Sequence, residues 1–162
     1  MDILIILVGI LIFYLLYCCC MRKIHKNLRN LLRKTLITLN ESDINYWLTY
    51  GSLLGLYREN DVIKGDNDGD VCIPISEYNK VLSLNWRKDN LKIYKMGFTQ
   101  QYIETSDPDE VMLLRVFKID KIFYLDKHVD IYLADLKNNQ FSIRTKGDYC
   151  YKLNRDDVYP LV

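Results

Sequence analysis

YGSLLGLYRENDVIKGDNDGDVCI, Tyr50 to Ile73, decides how the chain is read. Before it, Tyr46-Trp47-Leu48-Thr49-Tyr50 is an apolar run of the length and composition of a short buried strand. Gly51-Ser52 turns the chain into a helical segment, Leu53 to Glu59. A glycine-rich acidic loop carries Asp66, Asp68 and Asp70, and Val71-Cys72-Ile73 forms a second strand closed by Pro74. Free amides at a helix start, beside a glycine that permits close approach, suit a phosphate. Asp68 and Asp70 stand two residues apart on an extended segment and project to one face. Hard oxygen donors so placed suit Mg²⁺ or Mn²⁺, a cation that commonly bridges protein carboxylates to substrate phosphates. The chemistry indicated is metal-assisted phosphoryl or nucleotidyl transfer.

Asp68 and Asp70 are expected to hold the metal, and the Gly51 and Ser52 amides with the Ser52 hydroxyl to cradle a phosphate. Arg58 is placed either to pair with a phosphate or with Asp66, or to be a surface helix arginine. Asp66 reads equally as a residue that holds the turn.

In order and spacing, Gly51-Ser52-Leu53-Leu54-Gly55, Arg58 and the segment Ile63 to Asp70 resemble the LicD/fukutin family of nucleotidyltransferase-fold enzymes. Lys64-Gly65 replace the family's Pro-Trp, Asn67 its middle Asp, and Gly69 an apolar residue, which is expected to loosen the strand. The resemblance implies an α+β fold with a nucleotidyltransferase-like mixed sheet flanked by helices. It also implies transfer of a phosphorylated alcohol, of the phosphocholine or ribitol phosphate type, from a cytidine diphosphate donor to a glycan. It implies a third carboxylate on a later strand, and Val129-Asp130-Ile131-Tyr132 is similar to the family's segment there. Asp130 is thus the expected third metal ligand and the acceptor of the attacking hydroxyl's proton, with Asp135 as the fallback, more naturally a turn cap. The tail Arg155 to Leu161 resembles the segment that follows the third carboxylate. The chain is expected to be a short, C-terminally truncated member, with a protein partner supplying the remaining elements.

Ahead of this domain, taken as residues 44–162, Ile3 to Met21 is an almost uninterrupted apolar run. Its length of about 28 Å matches a bilayer core, so residues 1–21 read as a transmembrane anchor. No basic region or small-residue cleavage site marks a signal peptide. Arg22, Lys23, Lys26, Arg29, Arg33 and Lys34 follow the run and none precede it, which places the catalytic domain in the cytosol; the family resemblance instead implies a lumenal Golgi domain. Residues 22–43 read as a basic amphipathic juxtamembrane helix whose Leu stripe packs on the domain and whose first basic residues touch lipid headgroups. Cys18-Cys19-Cys20 read equally as palmitoylation sites or as small interfacial hydrophobes. With Cys72 and Cys150 they form neither a disulfide framework nor a metal motif, in keeping with a reduced compartment.

Further along, Ser76 to Leu84 reads as a helix, Leu91 to Ile103 is ambiguous between helix and strand, and Thr105 to Asp109 is a turn. Val111 to Ile119, Ile122 to Leu125, Val129 to Leu133 and Gln140 to Arg144 read as strands, and Lys146-Gly147-Asp148 as a turn. His128 reads as a loop histidine beside the third carboxylate. A formal charge of +1 and the lack of a basic, aromatic-lined groove argue against nucleic acid as substrate. The rival to a transferase is a catalytically inactive membrane scaffold. Three converging buried acids argue against that rival, because they are costly unless paired or metal-bound.

Overall fold

The computed structural model describes residues 3–119, 127–144 and 152–154. The expected strand at Ile122 to Leu125, the turn at Lys146 to Asp148 and the tail Arg155 to Leu161 lie outside these residues.

One helix, α1 (Ile3–Asn40), runs without interruption through the apolar span and the basic segment. Its apolar half is exposed, and it is long and apolar enough to cross a membrane. Its second half is built into the domain: Leu28, Leu31, Leu32 and Leu39 are buried at helical spacing. The Leu stripe thus packs as expected.

After α1 come β1 (Trp47–Leu48), α2 (Tyr50–Glu59), β2 (Asp68–Pro74), α3 (Tyr78–Ser83), β3 (Leu91–Gly97), β4 (Val111–Lys118), β5 (His128–Lys137), β6 (Gln140–Ile143) and β7 (Lys152–Asn154). The segment from Leu91, left ambiguous by sequence, is a strand that folds back at Gly97, with Met96 bridging to Tyr102. The sheet runs β1-β2-β5-β4-β3, and β6 joins β5, with β7 beyond it. It is mixed: β2 and β5 are parallel, and the other pairings are antiparallel.

Strand alternation separates the two faces of this sheet. Val71 and Ile73, Val129, Ile131 and Leu133, and Leu114 and Val116 lie in one apolar core with the α1 leucines. The intervening residues Asp68, Asp70, His128, Asp130 and Arg115 share the opposite face. Gly69 belongs to the α1 side, where a β-carbon would lie 3.1 Å from Leu32 Cδ1. Its missing side chain is room for α1, so the departure at this position serves helix packing.

At the start of α2 the chain turns sharply, with Tyr50 in the left-handed region at φ 43°. Asn60 ends the helix in the same region; its N–H donates to the Leu56 carbonyl, and the N–H of Asp61 to the Gly55 carbonyl. The chain then doubles back over Gly55, where a β-carbon would lie 2.5 Å from the Asp61 carbonyl oxygen. Asp61 anchors the returning loop to α1 through Arg29 Nε at 2.7 Å and His25 Nε2 at 3.2 Å. These constraints aim the acidic loop at the start of α2. On the far side, Arg144 fastens β5 to the turn before β4, bonding Asp109, Asp135 and the Pro108 carbonyl. Asp135, read as a turn cap, is a strand residue opposite Ser142 whose charge is spent on this clamp.

Candidate active site

Two rungs of the sheet bring the site together. Across β2 and β5, Asp70 is in register with Asp130 and Asp68 with His128; across β5 and β4, Asp130 faces Arg115. Because neighbouring strands lie about 4.8 Å apart, registered side chains on one face converge without help from a flexible loop. Asp70 and Asp130 are buried.

Asp70 is tied to the start of α2 in both directions. Its carboxylate Oδ2 accepts the Gly51 N–H at 3.0 Å, and its own N–H donates to Ser52 Oγ at 2.7 Å. The expectation of a free Gly51 amide is therefore corrected: that donor is engaged by Asp70, which completes the exposed turn of the helix with a carboxylate. Asp66 reaches the same point. A β-carbon on Gly51 would lie 2.9 Å from Asp66 Oδ2 and 3.1 Å from Asp70 Oδ2. Gly51→Ala is therefore expected to push both carboxylates aside and cost roughly 100-fold in whatever activity the site carries, the scale of a 1 Å misplacement. A helix that melts unchanged, together with full activity, would refute this.

Arg115 is the cation that sequence reading missed. It donates Nε to Asp130 Oδ1 and an Nη to Oδ2, both at 2.6 Å. Burial opposes its charge, but the paired bonds and attraction to Asp130 outweigh burial and hold its pKa above the usual value. The signal was a lone arginine inside the apolar run of β4, complementary to the lone aspartate inside β5. Arg58, by contrast, is exposed in the last turn of α2 and makes no ion pair with a described residue, so it does not pair with Asp66. Lys127 reaches the acidic loop instead, donating to the Asp66 carbonyl at 2.6 Å.

His128 is the first residue of β5 and not a loop residue. Its Nε2 lies 3.9 Å from both Asp68 Oδ2 and Asp130 Oδ1. Asp68, His128 and Asp130 each present a donor atom within 4.8 Å of the others, spacing that suits one cation. Negative charge is in excess here. Burial, then the charges of Asp68 and Asp130, push Asp70 up to about 7. Burial, then Asp66, raises Asp68 as well. Carboxylates held in such a state accommodate a divalent cation, which relieves their repulsion. The residues present therefore fit the group: hard oxygens and one imidazole, with Asp130 oriented by Arg115 as a supporting contact.

Comparison with known proteins agrees with this geometry. The family model described as LicD/FKTN/FKRP, nucleotidyltransferase domain, matches residues 43–162. The ribitol-5-phosphate transferase FKTN of Homo sapiens is 29% identical over 105 residues, covering 63% of this chain and 22% of that protein. The FKTN protein of Macaca fascicularis matches at the same identity and coverage. The chain thus spans about a fifth of the length of these curated relatives (22%).

Proposed function

This chain belongs to the LicD/FKTN/FKRP nucleotidyltransferase-domain family, and from that premise we propose that it transfers a phosphorylated alcohol from a cytidine-diphosphate-type donor to a hydroxyl of a glycan. The relatives' name makes ribitol 5-phosphate the first donor group to try. The observation that carries the proposal is the convergence of Asp66, Asp68, Asp70 and Asp130 at the start of α2.

In this reading Asp68, Asp70 and Asp130, with His128, hold Mg²⁺ or Mn²⁺. When bound, the cation neutralises the diphosphate and favours the leaving nucleotide. The protein's own groups then orient the reactants. The Gly51-Ser52 turn lies against the carboxylates, and the Ser52 hydroxyl, having accepted the Asp70 N–H, keeps its proton for a phosphate oxygen. Both Asp130 oxygens accept from Arg115, which suits that carboxylate to holding charge and position. Proton removal from the glycan hydroxyl is assigned to one carboxylate of this cluster, Asp130 by the family resemblance. A membrane-anchored enzyme, with the 1–21, 22–43 and 44–162 division of the chain, completes the proposal. The cytosolic placement rests on the basic residues that follow the apolar run.

The test is calorimetry on the full chain in detergent micelles, titrating CDP with and without Mn²⁺ or Mg²⁺. Nucleotide binding that requires the metal and disappears in Asp68→Asn/Asp70→Asn is expected. A well-folded chain that binds no nucleotide under either condition would sink the transferase reading and favour a scaffold.

A further inference from the structure

The acid cluster and the apolar span lie closer together than their separation in sequence implies. Gly65, next to Asp66, adopts φ +87°, and a methyl there would lie 3.7 Å from Cε of Met21, the last residue of the apolar run. Asp61, at the other end of the same loop, is fastened to His25 and Arg29, about one and just over two helical turns beyond Met21. The loop leading out of α2 is therefore held at the membrane end of α1.

On α2 itself, Ser52 and Gly55 face inward and are buried. The opposite side exposes Leu53 at 46%, Leu54 at 43%, Leu56 at 48% and Tyr57 at 88%. These four residues form an apolar strip on a ten-residue helix, an arrangement a soluble surface seldom carries. A cleft of about 450 Å³ continues it toward α1, lined by Leu56, Ile37 and Tyr46 and edged by Arg29 and Arg33. Exposed basic residues lie on α2 and the loop after it, Arg58 and Lys64, and on the turns of α1 that follow Met21, Arg22, Lys23 and Lys26. An apolar strip with basic residues on its own helix, on the loop after it and at the end of the apolar span matches the headgroup boundary of an anionic bilayer.

We infer that the exposed face of α2, with the loop that follows it, rests on the same membrane surface from which α1 emerges, and that its ligand there is anionic phospholipid. The occupant is chosen by continuity, since the loop is in contact with the end of the span, and by charge. The inference depends on α1 spanning the bilayer and owes nothing to the donor chemistry proposed above.

The experiment places a fluorophore on the strip. Trp47 and Trp86 are buried, so Tyr57→Trp adds an exposed indole over a background measured in the unsubstituted chain. The full chain is reconstituted in phosphatidylcholine vesicles with and without phosphatidylserine, using lipids brominated near the headgroup end of the acyl chain. Quenching at least about two-fold stronger than in a Ser106→Trp control is expected, increasing with phosphatidylserine and reduced by adding Leu53→Asp/Leu54→Asp. Quenching equal to the control would overturn the inference. A blue shift without bromolipid quenching would mean that protein covers the strip, whether a second copy or another partner, and would overturn it too. Failure of the chain to float with vesicles would remove its premise. None of these readouts depends on transfer activity, so loss of the transferase reading leaves the inference standing.

Discussion

Arg115→Leu is expected to destabilise the chain by about 3–5 kcal/mol, the range found when one partner of a buried ion pair is removed. Asp130 is only 3% exposed in its side chain, and Arg115 supplies both of its short bonds. Without the guanidinium, a buried carboxylate stands beside Asp70 and Asp68 with its nearest compensating charge gone. Arg115→Lys keeps the charge but loses the fork that matches a carboxylate, so an intermediate loss is expected. Arg115→Leu/Asp130→Asn is expected to recover most of the stability while remaining inactive, because the cost lies in the unpaired charge. Urea unfolding of the full chain in micelles, followed by the buried Trp47 and Trp86, measures each step. A loss below about 1 kcal/mol for Arg115→Leu would show that water reaches Asp130 and that the pair is not structural.

The second large effect concerns Asp70 and has the opposite sign. Its pKa is raised from 3.8 to about 7 in the folded chain, by burial first and then by Asp68 and Asp130. Between those pH values the folded state binds more protons than the unfolded state, so stability falls as pH rises through this window and levels off above it. Asp70→Asn removes the charge, while the amide oxygen still accepts the Gly51 N–H. The metal-free variant is therefore expected to exceed the wild type by about 1–3 kcal/mol at pH 8, allowing for solvent screening, and to match it near pH 4. Mn²⁺ is expected to raise the melting temperature of the wild type at pH 8 and leave the variant unmoved, because an ion that binds only the folded state stabilises it in proportion to its affinity. If the two chains melt together across pH 4–8, the carboxylates do not repel one another and the proposed site has no unmet charge.

Sequence reading reached the parts of this site that are local. The turn at Gly51-Ser52 and the spacing of Asp68 and Asp70 need no tertiary information, because a strand's two-residue period alone puts both acids on one face. Asp130 was reachable by resemblance and by its anomaly, a lone acid in an apolar run. Arg115 and His128 were not, because their roles exist only once the β4–β5 and β2–β5 registers are set, and alternation within one strand does not reveal its neighbour's register. The packing role of Gly69 was hidden for a related reason. Its meaning lies in Leu32, 37 residues earlier on α1. Arg58, placed by the sequence either at a phosphate or Asp66 or on the helix surface, is exposed in the fold and makes no ion pair with Asp66.

One consequence follows from α1 being a single helix. No break separates its apolar half from the turns carrying Leu28, Leu31 and Leu32, which are locked into the sheet. The helix is a mast and not a leash: whatever grips its apolar half also sets the height and compass bearing of the carboxylates. Adding one residue between Met21 and Leu28 would swing the whole sheet by about 100° and lift it by about 1.5 Å. Four added residues would lift it by about 6 Å while nearly restoring its heading. A ladder of such insertions therefore turns the helix into a protractor, separating the effect of the site's direction from that of its distance.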